Sequence, residues 1–352
     1  MSQLFSPITL REVTVRNRVW VSPMCEYSAT DGVPNDWHLV HLGSFARGGV
    51  GLVFTEATAV VPEGRISPAD TGIWNDEQQQ AWARIVSFIH GQGATAGIQL
   101  AHAGRKASSK APWEGRGFVS DEDGGWEPVA PSAVAFPGLR SPRALDADGI
   151  ARVVRAFGDA AARSLDAGFD VLEIHAAHGY LLHEFLSPLS NRRDDEYGGS
   201  FENRVRLLLE VVAEVRGRVP SSVPVVVRIS ATDWHEDGWK ADDSVRLGRL
   251  LADAGVDLVD ASSGGNALVD IPVEPGYQVP FARRIRAEAG IPTGAVGLIT
   301  EPKQAEEIVA DGSADVVLLA RALLRDPHWA LRAAHDLGVE ADWPKQYLRA
   351  AL

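Results

Sequence analysis

The chain has 352 residues, 45% of them hydrophobic, and a formal net charge of −13. That length allows two domains or one large α/β barrel. The negative balance argues against nucleic-acid and anionic-membrane surfaces, whose phosphates are bound through clustered Lys and Arg, so small molecules are the expected partners. Cys25 is the only cysteine, which excludes an intrachain disulfide, a thiolate zinc cage and an iron–sulfur cluster held by several cysteines. No apolar run reaches the ~20 residues that span a bilayer, and the N-terminus lacks a basic stretch leading into an apolar signal core. A cytoplasmic location is the expectation.

Short β-branched runs alternate with helix-period segments along the chain, the pattern of parallel strands joined by crossover helices. The first strand, 18–21, runs into Ser22-Pro23-Met24-Cys25-Glu26-Tyr27. Strands at 51–55 and 94–100 follow, separated by a helix over 76–90. Residues 101–145 are too long for an ordinary βα loop and are rich in Gly, Pro and Trp, so a lid or hairpin is expected there. Helix 146–167 leads to strand 171–175 and then to His175-Ala-Ala-His178-Gly-Tyr180. Helices at 201–215, 242–254, 279–289 and 301–310 alternate with strands at 223–229, 258–261, 292–296 and 316–319. Ala167-Gly-Phe-Asp170 and Ala254-Gly-Val-Asp257 repeat one helix-stop cue, a glycine able to take positive φ. Eight strands favour a single (β/α)8 TIM barrel over an open doubly wound sheet, and no Gly-x-Gly-x-x-Gly follows the first strand. No linker or low-complexity tract divides residues 1–352.

In a barrel the C-terminal strand ends share one face, which would gather Cys25, Glu56, Gln99, His102, His175, Arg228 and Ser262. His175 and His178, as neutral imidazoles, can both donate to one oxygen, and Tyr180 can deliver a proton nearby. Together they read as machinery for polarising a carbonyl. The same histidines could instead bind a metal or be a satisfied structural pair; a metal needs a third protein ligand, and Glu173 is expected on the opposite side of its strand. Tyr180 could equally plug the barrel top with its ring. Cys25 lacks a local partner that would mark a nucleophile, leaving a small buried residue or a thiol against a cofactor ring. Gly294-Ala-Val-Gly297 and Leu319-Ala320-Arg321 follow the last two strands, where barrels commonly hold phosphate; ordinary helix caps are the alternative. Arg228 interrupts an apolar strand and needs an acceptor, either a structural carboxylate or a cofactor ring that is anionic when reduced.

Taken in order, these segments resemble the old yellow enzyme family of FMN-dependent ene-reductases, in its thermophilic-like branch that includes xenobiotic reductases. The resemblance runs through Asn17-Arg-Val, Ser22-Pro-Met-Cys25-Glu-Tyr27, Thr55-Glu-Ala57-Thr, Gly64-Arg-Ile and Gly97-Ile-Gln99-Leu-Ala-His102-Ala-Gly-Arg-Lys. It continues through Ala130-Pro-Ser, the block from His175 to Arg204, Gly276-Tyr-Gln, Gly294-Ala-Val-Gly297, Arg321-Ala-Leu and Gln346-Tyr-Leu-Arg349. It implies FMN across the strand ends: Ser22, Pro23, Met24 and Cys25 against the ring, Ala57 and Gln99 at its hydrogen-bonding edge, Arg228 by N1 and O2, and Gly297, Ala320 and Arg321 on the phosphate. Ala320 stands where many relatives carry glycine, which leaves the closeness of the phosphate open.

The resemblance further implies that NADPH or NADH reduces the flavin and leaves before an activated alkene enters. His175 and His178 would bind the substrate's carbonyl or nitro oxygen, hydride would pass from flavin N5 to the β-carbon, and Tyr180 would protonate the α-carbon. Tyr27 would face the substrate from the other side. Arg349 matches an arginine that reaches a neighbouring subunit's site, implying a homodimer or a tetramer built from dimers. Extended flavoprotein relatives that act on dienoyl-CoA or trimethylamine carry a cysteine-bound cluster and extra domains, which one cysteine and 352 residues do not match. A flavin-binding sensor or storage protein without turnover is the alternative from another class, and a metal-dependent barrel hydrolase comes third.

Overall fold

The computed structural model describes residues 2–352. Eight parallel strands close into a barrel in chain order: β1 (Val19–Val21), β2 (Leu52–Ala59), β3 (Thr95–Ala101), β4 (Val171–Ala176), β5 (Val225–Ser230), β6 (Leu258–Ser262), β7 (Thr293–Ala295) and β8 (Val316–Leu319). Closure comes from β8 pairing with β1, in the register Leu319 to Val21. Helices α1 (Asp36–Arg47), α2 (Asp76–Gly91), α3 (Ala147–Asp166), α4 (Leu181–Leu186), α5 (Phe201–Arg218), α6 (Ala241–Asp253), α7 (Val279–Ala289), α8 (Pro302–Ala310), α9 (Arg321–Arg325) and α10 (Trp329–Asp336) complete the fold. Among the described residues no helix is long and apolar enough to cross a membrane.

Alternation along the strands divides the core in two. Val19, Val21, Val53, Ile98, Leu172, Ile174, Val227 and Ile229 face outward into the layer shared with the helices. Trp20, Leu52, Phe54, Val171, Val226, Leu258, Val316 and Leu318 fill the barrel interior. Burying each such side chain stabilises the fold by roughly 1.5–3 kcal/mol, so this part of the barrel is a plug and not a channel. A hairpin of Ile8–Leu10 and Val13–Val15 stoppers it, with Leu10 and Val15 in the same cluster. The barrel interior is therefore open toward the C-terminal ends of the strands and filled at the other end.

Four helices escape the periodicity reading: α1, α4, α9 and α10. α1 carries Gly43 in its interior, and its capping box uses His38 at the third position, where Glu or Gln is the usual signal. The other three are short or follow a strand without a spacer. Strand β2 extends beyond 51–55 because a register shift between Phe54 and Ala57 accommodates extra residues. That shift returns Ala57 to the row of Gln99 while Glu56 meets His38 of α1, with 3.1 Å between Oε1 and Nε2. Residues beyond β3 form 3-10 turns at Gly104–Lys106, Pro112–Glu114 and Asp121–Asp123, then a two-residue parallel pair of Val129–Ala130 with Arg143–Ala144.

Candidate active site

Above the apolar plug lies a layer of buried polar side chains. Gln99 Nε2 donates to Glu173 Oε1 at 2.7 Å across β3 and β4. One strand further round, Arg228 Nε lies 2.9 Å from Asp260 Oδ2, with side chains 8% and 0% exposed. The expectation that Glu173 faces away from His175 is overturned. Residues two apart on a strand share a face, and Glu173 lies in register with Gln99 as His175 does with Arg228. Burial, followed by the neighbouring Asp260, pushes the Glu173 carboxyl up to about 8. Burial also raises Asp260, against the pull of Arg228. A structural carboxylate is thus one partner of Arg228, which at the same time borders the open cavity above.

The His-Ala-Ala-His-Gly-Tyr segment rises from β4 at this level. His175 is 3% exposed, and its Nδ1 has no partner among the described residues. The His175 ring stands edge-on to His178 at 5.3 Å and to Tyr180 at 5.1 Å between centroids. His178 Nε2 lies 2.7 Å from Ser262 Oγ. Burial, with Arg228 next, holds both imidazoles well below the usual histidine range, so both are neutral at neutral pH. Burial raises the Tyr180 phenol well above its ordinary value of 10, with Cys25 and Tyr27 adding to the shift. The segment therefore presents neutral imidazoles and a protonated phenol, the states needed for hydrogen-bond and proton donation.

Opposite stands the loop after β1. Cys25, Tyr27 and Tyr180 pack against one small apolar cluster of Ala57, Ile66, Ala101, Ala103 and Ala107. Cys25 is a free thiol, pushed well above its ordinary range by burial and then by Asp70, Glu56 and Glu26. Trp113, from the long excursion after β3, meets the Tyr27 ring edge-on at 5.6 Å. Pro23 and Met24 are partly buried beside Ser22 at the exit of β1.

A cavity of about 210 Å³ runs from Arg228 and Ser22 to Gly297, Ala320 and Arg321. Gly297 has φ +108°, and a Cβ there would meet the Gln278 side chain at 3.0 Å. Ala320 has φ −116°, so its methyl group costs no left-handed strain. The lining suits the phosphate-bearing part of FMN: Arg228 and Arg321 supply cations, and Gly297 and Ala320 let a phosphate approach the backbone.

The sequence pattern of the NADH:flavin oxidoreductase / NADH oxidase family matches residues 3–340. The chain belongs to this family. It is therefore an FMN-dependent oxidoreductase of the old yellow enzyme group, reduced by a nicotinamide nucleotide. It is 50% identical over 349 residues to an NADPH dehydrogenase of Geobacillus thermodenitrificans, covering 98% of each chain. To an NADPH dehydrogenase of Listeria innocua it is 48% identical over 353 residues, covering 99% of each. A solved structure of an old yellow enzyme homologue from Zymomonas mobilis superposes with a TM-score of 0.80 at 29% identity, over 99% of this chain and 98% of that one.

Two residues of the oxidoreductase's strand-end cluster are taken up by protein partners, and Glu56 also accepts from Glu26 N–H at 3.2 Å in the loop after β1. Glu56 turns to α1 through the β2 register shift, and His102 is buried with Nδ1 accepting from Gly104 N–H at 3.1 Å. Arg349 lies in an exposed 3-10 turn, Lys345–Ala350, whose Tyr347 packs on Arg47 and His328. The preceding tail borders Arg16, Arg47 and Gln92, where α1 and α2 finish, away from the C-terminal strand ends. Sequence reasoning passed over Lys106, whose ammonium donates to the His178 carbonyl at 2.8 Å and to the Gly265 carbonyl. The Gly-Arg-Lys motif holds that residue, but spacing gave no hint that it crosses to β4. Ser230, Gln278, Asp233 and the role of His183 carried no signal, since each acts through partners distant in sequence.

Proposed function

We propose that this oxidoreductase is an NAD(P)H-dependent ene-reductase acting on alkenes conjugated to a carbonyl or nitro group, such as enones, enals, maleimides and nitroalkenes. The observation that carries the reading is the cluster of two neutral imidazoles and a protonated phenol at the end of β4, with His175 in register with Arg228, which itself lines the adjoining cavity. Ser22, Pro23, Met24, Cys25, Ala57, Gln99, Arg228, Gly297, Ala320 and Arg321 would hold FMN, whose chemistry when bound is to supply hydride to the β-carbon. His175 and His178 hold the substrate oxygen and polarise the double bond. Tyr180 gives its proton to the α-carbon, and Tyr27 closes the opposite side. Cys25 would stay a neutral thiol beside the ring, because burial first and its acidic neighbours next disfavour thiolate. The guanidinium of Arg228, which lines the cavity, would stabilise negative charge developing on the bound ring.

Anaerobic reduction with NADPH followed by addition of cyclohexenone tests the assignment. Rapid return of the oxidised flavin spectrum is expected, whereas reduced flavin that persists with several activated alkenes would favour the sensor or storage reading. Phenol binding to the oxidised protein tests the histidines. Its oxygen would stand where the substrate's does, so His175→Ala or His178→Ala should weaken phenol binding by about tenfold, the value of one hydrogen bond to an anionic group. Unchanged affinity in a visible titration would count against the pair.

The tail supports a homodimer, or a tetramer of such dimers, in which Arg349 enters a neighbour's site. Arg349 is exposed, as are Leu348 and Leu352, at 60% and 70%. Arg349→Ala should raise KM for the alkene in the assembled protein and leave the strand-end site of each protomer intact. A KM equal to the parent's, measured at concentrations where the oligomer persists, would remove the shared-site reading.

A further inference from the structure

The turn carrying His178 and Tyr180 is held in a backbone conformation that L-residues avoid. His178, a non-glycine residue, has φ +59°, and Gly179 follows at +70°. A Cβ on Gly179 would come within 2.4 Å of the Gly265 carbonyl oxygen. Such a conformation persists only where its surroundings over-determine it. Three backbone atoms of the turn are tied by side chains: His178 N–H donates to Ser230 Oγ at 2.9 Å, the His178 carbonyl accepts from Lys106 Nζ at 2.8 Å, and Gly179 N–H donates to His183 Nδ1 at 2.9 Å.

The last bond dictates where the His183 proton sits. An amide N–H can donate only to an unprotonated ring nitrogen, so the ring proton is on Nε2. Nε2 lies 3.1 Å from Asp233 Oδ1, both side chains are 0% exposed, and neither atom has another partner among the described residues. Asp233 Oδ2 is taken up separately, accepting from Ser187 Oγ at 2.5 Å and Trp239 N–H at 2.8 Å. Burial alone would raise this carboxyl; His183 and those hydrogen bonds outweigh it and hold Asp233 below its ordinary range. Carboxylate, imidazole and amide thus form one donor–acceptor chain ending on the turn.

We propose that Asp233 and His183 are positioning residues: by fixing the His183 tautomer, Asp233 makes Nδ1 an acceptor for Gly179 N–H and so holds His178 and Tyr180 in register for substrate. This rests on the function proposed above. A pair that merely fills the core would stabilise the protein without regard to which ring nitrogen accepts.

Two substitutions separate the ring nitrogens. His183→Asn places an oxygen where Nδ1 stands and loses the donor to Asp233. His183→Gln keeps that donor and loses the acceptor. Both remove a buried ring, and comparable losses in Tm are expected. In the FMN-loaded protein, H183Q should weaken phenol binding by about tenfold or more and H183N by no more than about threefold, the difference of one hydrogen bond. Equal weakening by both would overturn the proposal.

Nitrogen NMR of 15N-histidine-labelled protein gives a readout independent of turnover. Wild-type His183 should show unprotonated Nδ1 and protonated Nε2. Asp233→Asn should reverse them, because an amide there donates to Nε2 and sends the ring proton to Nδ1. A protonated Nδ1 in the wild type overturns the proposal even if every variant fails to fold. A wild-type protein that binds no phenol would count against the proposed function, and the nitrogen spectrum would still judge the turn.

Discussion

Tyr180→Phe slows the alkene half-reaction by about 10²-fold or more, the usual contribution of a positioned general acid, while reduction of the flavin by NADPH changes far less. The asymmetry follows from chemistry: only the alkene step leaves a carbanion that needs a proton. The ring change is small, because Tyr180 packs against the same apolar cluster as Cys25 and Tyr27 and loses only its hydroxyl. Burial holds the phenol well above its ordinary value of 10. Raising the value keeps the proton on oxygen at higher pH, so the wild-type half-reaction should be flat in Tyr180 protonation from pH 6 to about 9. Stopped-flow measurement of the two half-reactions checks both points. Equal slowing of both, or a wild-type rate falling in parallel with phenol ionisation below pH 9, would contradict the proton-donor role.

Arg228→Met has its largest effect on stability. Arg228 balances Asp260 at 2.9 Å inside the barrel, and Glu173 lies in the same layer. Removing one partner of a buried pair leaves the other charge uncompensated, at a cost of about 3–5 kcal/mol. The cost depends on pH with a definite sign. Both carboxyls already hold their protons more tightly than in the unfolded chain, and losing the cation raises them further. Between the unfolded carboxylate range, about 4, and those raised values, the folded variant binds more protons than the unfolded one. Its stability therefore falls as pH rises through that window. Urea denaturation should give a wild-type-to-variant gap that widens from pH 6 to pH 9, the span that brackets the wild-type Glu173 value of about 8. An equal gap at both pH values would mean that the carboxyls do not respond to Arg228.

The polar layer also shows why Arg228 was ambiguous in sequence. A buried guanidinium announces that an acceptor exists, but Asp260 lies 32 residues away and becomes a neighbour only through the β5–β6 register. Both readings of Arg228 hold a place in the fold, since the side chain pairs with Asp260 and also borders the cavity. The misplacement of Glu173 has a simpler cause: strand alternation itself puts it beside His175. The His38 partner of Glu56 was illegible for a different reason, because a bulge re-aims side chains at a point that apolar periodicity cannot mark.

The sequence by itself determined the barrel, the family and its cofactor class, and it placed His175, His178 and Tyr180 together in one segment. Alternating strand and helix periods reflect which faces must be buried, and the motif residues lie close together in the chain. Tertiary structure alone decided what holds those groups in place. Ser262 and Ser230 reach His178 from β6 and β5, Lys106 crosses from beyond β3, and Asp233 acts through His183 on the Gly179 amide. Those contacts depend on strand register and barrel closure, which join residues tens of positions apart and leave no local spacing to read.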